Sequence, residues 1–205
     1  MNALILVDLQ DDFVPGGALA VPEGDAVIPI ANHLQESGRF DLIVATQDWH
    51  PADHGSFAAN HPDREIGDVI DLKGLPQILW PVHCVQETRG AALADGLATT
   101  KIEKVFAKGT DPAFDSYSGF FDNGHRKSTG LGEYLRARGV TDVYVCGLAT
   151  DYCVKFTALD ARQLGFNTCL IEDASRGVNL KPGDVGRAIE EMRAAGVKVV
   201  RSDAV

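Results

Sequence analysis

The sequence predicts an α/β fold built on a mostly parallel six-stranded sheet, and two observations lead to this prediction. Short apolar, β-branched runs recur six times along the chain, and segments with helical periodicity lie between several of them. Such alternation is typical of right-handed βαβ crossovers, whose helices cover both faces of the sheet. We therefore expect a three-layer α/β/α sandwich with a Rossmann-like strand order.

The predicted elements follow from these patterns one by one. The strands are ALILVD (3–8), DLIVATQ (41–47), KVFAKG (104–109), DVYVCG (142–147), TCLIED (168–173) and VKVV (197–200). The helices are DAVIPIANHLQESG from Asp25, GLGEYLRARG after a Ser128-Thr129 cap, DYCVKFTALDARQLG from Asp151 and VGRAIEEMRAAG after Asp184. No internal repeat interrupts this order.

Length and charge limit the classes of partner. The 205 residues, 45% of them hydrophobic, suffice for one domain over 1–205 with its own core. The formal net charge of -10 repels polyanions, so nucleic acid and anionic membrane surfaces are not expected partners. A neutral or cationic small molecule fits better.

The N-terminal segment and the cysteines indicate the cellular compartment. MNALILVDLQ has no basic leader, and Asp8 breaks its apolar run well short of the ~18 residues that cross a bilayer. The four cysteines do not form a spaced disulfide framework. We expect a cytoplasmic protein.

Polar side chains close or follow several predicted strands. Because ligands bind beyond the carboxyl ends of the strands in open α/β sheets, we expect these side chains to share one edge. They are Asp8, Asp48, His50, Lys108 and Cys153. The weakly periodic segment from about 49 to 86 is interpreted as a functional excursion over that edge.

Three of these residues suggest nucleophilic catalysis. Cys153 lies in the first turn of a predicted helix, where the helix dipole favours a thiolate, whereas Cys146 and Cys169 are better interpreted as buried apolar side chains. Asp8 ends an apolar strand, where burial would raise its pKa as a general base requires. Lys108 could hold Asp8 ionised and stabilise negative charge on sulfur, although alone it would more often be a solvated strand end.

A metal site is suggested in the same region. Asp48 and His50 stand two residues apart and therefore project to one side of an extended stretch. His54 and His83 are both candidates for the third ligand. One aspartate and two histidines suit zinc, ferrous iron or manganese. The alternative is a pair of turn histidines without a metal.

Five motifs together carry a family resemblance. They are VDLQDDF, TQDWHPADHGSF, LWPVHC, AKGTD followed by DSYSGF, and VCGLATDYCV. In this order the chain resembles the nicotinamidase branch of the isochorismatase-like hydrolases. The resemblance spans the chain and implies the fold expected above.

The resemblance implies roles for the polar residues. Asp8, Lys108 and Cys153 match the catalytic triad of the family. The metal ligands that it implies are Asp48, His50 and His83, with Ser56 approaching the metal through water. The ion would be zinc, with iron or manganese as alternatives.

The resemblance also implies the substrate environment. The N-H groups of Ala149 and Cys153 would form the oxyanion hole, after a cis peptide bond between Leu148 and Ala149. The ring pocket would be lined by Phe13, Leu19, Trp80 and Tyr117. Tyr152 receives no role.

The expected activity is hydrolysis of nicotinamide to nicotinate and ammonia through a cysteine thioester, in NAD salvage. Pyrazinamide would be a second substrate, and a homo-oligomer is compatible with the family. The nearest alternative is an amidase or carbamoyl hydrolase on the same scaffold without a ring-binding metal. A non-catalytic metal- or ligand-binding protein is the alternative from another class.

Overall fold

A six-stranded parallel sheet forms the centre of the computed structural model, which describes residues 1–205. The strands are β1 (Asn2–Val7), β2 (Leu42–Asp48), β3 (Val69–Leu72), β4 (Leu75–Ile78), β5 (Lys104–Lys108), β6 (Asp142–Leu148), β7 (Asn167–Arg176) and β8 (Lys198–Val200). The sheet order is β5-β2-β1-β6-β7-β8, and all five neighbouring pairs are parallel. The strands β3 and β4 form a separate antiparallel hairpin.

Four α-helices flank the sheet. They are α1 (Val27–Glu36), α2 (Leu131–Ala137), α3 (Lys155–Gln163) and α4 (Asp184–Ala194). Buried residues of α2, α3 and α4 belong to one hydrophobic cluster and those of α1 to another. The first cluster lies on one face of the sheet, and the second lies on the other, where loop residues complete the layer. The three-layer α/β/α architecture is therefore confirmed.

The residues of β1 show how the sheet separates the two layers. Ala3, Ile5 and Val7 pack in the first cluster, and Leu4 and Leu6 pack in the second. All five are fully buried. A strand that is buried on both faces has no polar positions to alternate with apolar ones, which explains its continuous apolar run.

The predicted strands and helices are confirmed with small shifts of their ends, with two exceptions. The strand β7 continues to Arg176, and the helix predicted from Asp151 begins as a π-helical turn, so that α3 itself starts at Lys155. The sequence patterns did not indicate the β3–β4 hairpin. Between β2 and β5 the chain forms no α-helix, and this connection instead contributes the hairpin and short 3₁₀ turns.

Gly147 lets β6 approach β1 closely at the edge where the polar residues gather. Its φ is +124°, and a Cβ there would lie 2.1 Å from the Val7 carbonyl oxygen. Only glycine combines this backbone conformation with such an approach. None of the helices has the length and hydrophobicity that crossing a bilayer requires.

Candidate active site

The carboxyl ends of four neighbouring strands bring the predicted catalytic residues together. Asp48 and Lys108 end β2 and β5 and are register partners in the sheet. Asp8 directly follows β1, and Cys153 lies in the turn that follows β6. All four side chains are buried. The strand order β5-β2-β1-β6 therefore joins residues that are up to 145 positions apart in sequence.

The ammonium group of Lys108 occupies the centre of this group. It donates hydrogen bonds to Asp48 Oδ1 at 2.5 Å and to the Ser116 carbonyl oxygen at 2.8 Å, and it lies 3.4 Å from Cys153 Sγ. Asp8 Oδ2 is 2.9 Å away. The acceptor atoms of the two aspartates and of Cys153 lie within 4.8 Å of one another, and the ammonium group supplies the cation that this cluster needs.

Asp8 is held in one orientation but keeps a free acceptor. Thr46 donates its hydroxyl proton to Asp8 Oδ1 at 2.6 Å. Asp8 Oδ2 receives no directed hydrogen bond, because its contact with Lys108 is an ion pair with poor hydrogen-bond geometry. A buried carboxylate oxygen with this free capacity can accept a proton from a neighbouring thiol.

Burial changes the protonation of the two reacting groups. It raises the pKa of Asp8, with Lys108 opposing and Asp48 adding to the rise. Burial also raises the pKa of the Cys153 thiol well above its ordinary value, and the attraction of Lys108 does not offset this. This rise in the pKa opposes the thiolate that the position of Cys153 near the start of a helix favours.

The turn that carries Cys153 also exposes a backbone donor. The peptide bond between Leu148 and Ala149 is cis, as the resemblance implied. The chain then makes a π-helical turn over Thr150–Val154 before α3 begins. The Ala149 N-H donates to no protein acceptor and lines the same pocket as Cys153. It can therefore serve as a donor to an oxyanion near the sulfur.

Asp48, His50 and His83 form a set that could hold a divalent metal ion. Their ligand atoms lie within 4.8 Å of one another. His50 Nδ1 and His83 Nδ1 lie 2.9 and 2.7 Å from the carbonyl oxygens of Gly109 and Pro81, which leaves each Nε2 facing Asp48 Oδ2. Backbone partners of this kind fix the tautomer of metal-binding histidines, so the residues fit such an ion.

The pKa of His83 supports the same conclusion. Burial and the neighbouring His50 lower it to about 4, so the imidazole stays neutral at pH 7. Although burial opposes it, Lys108 with His50 holds the pKa of Asp48 well below its ordinary value. A neutral imidazole and an ionised carboxylate are the forms that bind metals.

His54 lies close to this set but in a different arrangement. One ligand atom each of His54, His50 and Asp115 lie within 4.8 Å of one another, and His54 Nδ1 is 2.7 Å from Ser56 Oγ. Its Nε2 is buried without a hydrogen-bond partner. Asp115 already accepts hydrogen bonds on both oxygens, whereas Asp48 Oδ2 faces two imidazoles directly. The geometry therefore favours His83 over His54 as the third ligand.

A mostly apolar pocket leads to Cys153 and to the Asp48–His83 corner. It is lined by Phe13, Leu19, Val21, Asp48, Trp80, His83, Asp115, Tyr117, Ala149, Tyr152, Cys153 and Val178. All four predicted ring-contacting residues are among them. The pocket therefore brings a thiol and the imidazole-carboxylate set to one mostly apolar space.

Sequence reasoning missed several residues of the site. Tyr152 lines the pocket, with its ring edge-to-face against Trp80 at 5.0 Å between centroids. Gln10 bonds both the N-H and the carbonyl oxygen of Asp48 through its side chain. Thr46 orients Asp8. The position of Tyr152 next to Cys153 could have indicated its place in the site, but no sequence signal marked Gln10 or Thr46.

The comparisons with known proteins agree with this geometry. The Isochorismatase domain family matches residues 2–204. The nicotinamidase of Escherichia coli (strain K12) is 53% identical over 197 residues, which are 95% of this chain and 92% of that protein. The chain therefore belongs to the isochorismatase family.

Two solved structures are also similar. A nicotinamidase/pyrazinamidase of Acinetobacter baumanii matches with a TM-score of 0.95 at 44% identity, covering 99% of this chain and 97% of that chain. The pyrazinamidase of Pyrococcus horikoshii in complex with zinc matches with a TM-score of 0.78 at 43% identity, covering 98% of each chain.

Proposed function

We propose that this protein is a nicotinamidase, which hydrolyses nicotinamide to nicotinate and ammonia through a thioester on Cys153. The observation that carries the proposal is the shared pocket, whose lining includes Cys153, 3.4 Å from the Lys108 ammonium group, together with Asp48 and His83. The names of the similar proteins support the substrate. Pyrazinamide, which has the same ring size and carboxamide, is a second proposed substrate.

The reaction begins with proton transfer from Cys153 to Asp8. The thiolate forms only as the proton leaves, because the pKa of the thiol is raised in the resting site. Lys108, 3.4 Å from the sulfur, then compensates the new negative charge. The sulfur attacks the carboxamide carbon, and the Ala149 and Cys153 N-H groups bind the resulting oxyanion.

Collapse of this intermediate expels ammonia. Asp8 returns its proton to the amide nitrogen as the carbon-nitrogen bond breaks, which leaves the nicotinoyl group bound to Cys153 as a thioester. A water molecule then attacks the thioester carbonyl while Asp8 accepts a proton from it. Cleavage of the carbon-sulfur bond regenerates the thiol, so one water is consumed for each ammonia released.

We propose zinc, held by Asp48, His50 and His83, as the metal of the enzyme, with iron or manganese as alternatives. The zinc complex of the similar pyrazinamidase supports this choice. When bound, the ion supplies a Lewis acid for the lone pair of the ring nitrogen. Ser56 is proposed to contact it through water. Phe13, Leu19, Trp80 and Tyr117 then hold the ring by its apolar faces.

We also propose that the enzyme works in NAD salvage in the cytoplasm. The support for this location is that all four cysteines are free thiols, as expected in a reducing compartment.

Cys153→Ala tests the proposed function directly. We expect it to abolish ammonia release from nicotinamide, measured with a coupled ammonia assay, while circular dichroism stays unchanged. Cys146→Ala is the matched control, because Cys146 is equally buried but lies in the other hydrophobic cluster within β6. Residual Cys153→Ala activity near that of the control would contradict the mechanism.

A substrate comparison separates this function from the related amidases. Benzamide has the size of nicotinamide but no ring nitrogen, so it should be hydrolysed at least tenfold less efficiently in kcat/KM. Equal turnover of both amides would favour an amidase without a ring-binding metal.

A further inference from the structure

The β3–β4 hairpin contributes one buried side chain, Gln77. The other residues of the two strands are exposed or half-buried, whereas Gln77 is only 2% exposed. A buried amide must have hydrogen-bond partners to offset its lost hydration. Its partners therefore indicate what the hairpin does.

The Gln77 amide lies within hydrogen-bond distance of three groups. The Gln77 Nε2 atom lies 2.7 Å from the carbonyl oxygen of Ile78, 2.9 Å from Asp115 Oδ2 and 3.2 Å from the Tyr117 hydroxyl oxygen. The Trp80 indole N-H donates to the same Tyr117 hydroxyl at 3.1 Å. One hydroxyl oxygen thus accepts from both an amide and an indole.

This hydroxyl fixes two walls of the pocket. Tyr117 follows β5 in a stretch without regular secondary structure, so the backbone alone does not set its ring orientation. The rings of Trp80 and Tyr117 each meet Tyr152 edge-to-face, at 5.0 and 5.5 Å between centroids. All three rings line the pocket. Rotation of Tyr117 would therefore change the shape of the space that receives a flat ring.

We propose that Gln77 is a positioning residue for substrate binding, acting through the Tyr117 hydroxyl to hold the aromatic walls of the pocket. The inference rests on the proposed function, in which the pocket binds the pyridine ring of the amide. Gln77 makes no hydrogen bond with Asp8, Lys108 or Cys153. Its loss should therefore weaken binding and leave the chemical step intact.

The test is a double-mutant cycle between Gln77 and Tyr117. Gln77→Met keeps the length of the side chain but removes the donor, and we expect it to raise the KM for nicotinamide about tenfold with kcat within about twofold. Tyr117→Phe removes the acceptor and should raise KM similarly. The double variant should raise KM by less than the product of the two single effects, because both changes remove the hydrogen bond between Gln77 and the Tyr117 hydroxyl.

Three outcomes would overturn the inference: an unchanged KM in Gln77→Met, a loss confined to kcat, or single effects that multiply in the double variant. Val69→Ala, an exposed change on the partner strand of the hairpin, is the matched control and should leave KM unchanged. If Gln77→Met does not fold by circular dichroism, Gln77→Leu, which is also neutral and also lacks the amide donor, takes its place with the same expectations.

Failure of this inference can be told apart from failure of the proposed function. If the protein is not a nicotinamidase, the unmodified chain itself releases no ammonia from nicotinamide. If only the role of Gln77 is wrong, the unmodified chain is active and the Gln77 variants keep its KM.

Discussion

Lys108 donates its shortest hydrogen bond to Asp48, at 2.5 Å, and thereby connects the thiol to the candidate metal site. The other oxygen of the same carboxylate faces His50 Nε2 at 3.7 Å and His83 Nε2 at 4.0 Å. One carboxylate thus has a cation on one side and two imidazoles on the other. Removal of Lys108 should therefore change the electrostatic environment of the two imidazoles, and removal of an imidazole should change that of Lys108.

Removal of the central cation should destabilise the protein strongly. Lys108→Met removes the counter-ion of the buried Asp8 carboxylate and one of the partners of Asp48, and breaking a buried pair in this way costs about 3–5 kcal/mol. We expect a loss of that size in the free energy of urea unfolding at pH 7. The loss should shrink as the pH falls, because burial raises the pKa of Asp8 and its protonation removes unpaired charge.

An exposed ion pair provides the control for this change. Lys101 lies 2.8 Å from Glu36 at the surface. Lys101→Met should therefore cost less than about 1 kcal/mol. Equal losses for the two lysine variants would contradict the central role of Lys108.

A single methyl group should displace one proposed metal ligand. Gly109 has φ of +61°, and a Cβ there would lie 2.3 Å from His50 Cε1. Gly109→Ala should therefore lower the metal content, measured by elemental analysis after dialysis, by more than half. Gly38→Ala is the matched control, since Gly38 has φ of +70° but open space around its Cβ position. If both variants keep their metal, His50 is not held as described.

The two candidates for the third ligand should behave differently. His83→Ala should lose most of the bound metal and weaken nicotinamide turnover, because His83 Nε2 faces Asp48. His54→Ala should retain the metal, since His54 instead contacts Ser56 and groups with Asp115. The measurement is metal stoichiometry together with kcat/KM for both variants. Equal metal loss would make His54 a ligand as well.

Asp8→Asn should separate proton transfer from thiol reactivity. The Asp8 carboxylate is needed to carry a proton, so ammonia release should fall about 10²–10⁴-fold. The same carboxylate raises the pKa of Cys153, so its removal should speed alkylation of the thiol by iodoacetamide. Mass spectrometry of the labelled peptide measures the second effect. Ammonia release by Asp8→Asn close to that of the unmodified protein would contradict the role of Asp8 as the proton acceptor.

Much of the site could be predicted because strand ends are easy to recognise. A charged residue at the end of a continuous apolar run, such as Asp8 after β1, has few structural reasons to be there. The parallel topology then places such ends at one edge. The convergence of the polar groups follows from these two facts.

The remaining features depend on distances that a pattern does not contain. Nothing in the spacing of the excursion indicates that Gln77 is buried against Tyr117, because the hairpin strands are only four residues long. The protonation of Cys153 depends on how deeply it is buried, and the helix position alone suggested the opposite state. The place of Tyr152 in the pocket is visible only from its contacts with the rings of Trp80 and Tyr117.

The sheet order has a consequence for synthesis of the protein on the ribosome. β1, β2 and β5 emerge first and can pair as neighbours, bringing Asp8, Asp48 and Lys108 to one edge. The nucleophile arrives later, when β6 adds beside β1 and its following turn closes over that edge. A nascent chain that stops before residue 142 therefore carries the proposed metal ligands and the buried lysine but no reactive thiol. The chemistry is completed only in a chain whose central strands have already assembled.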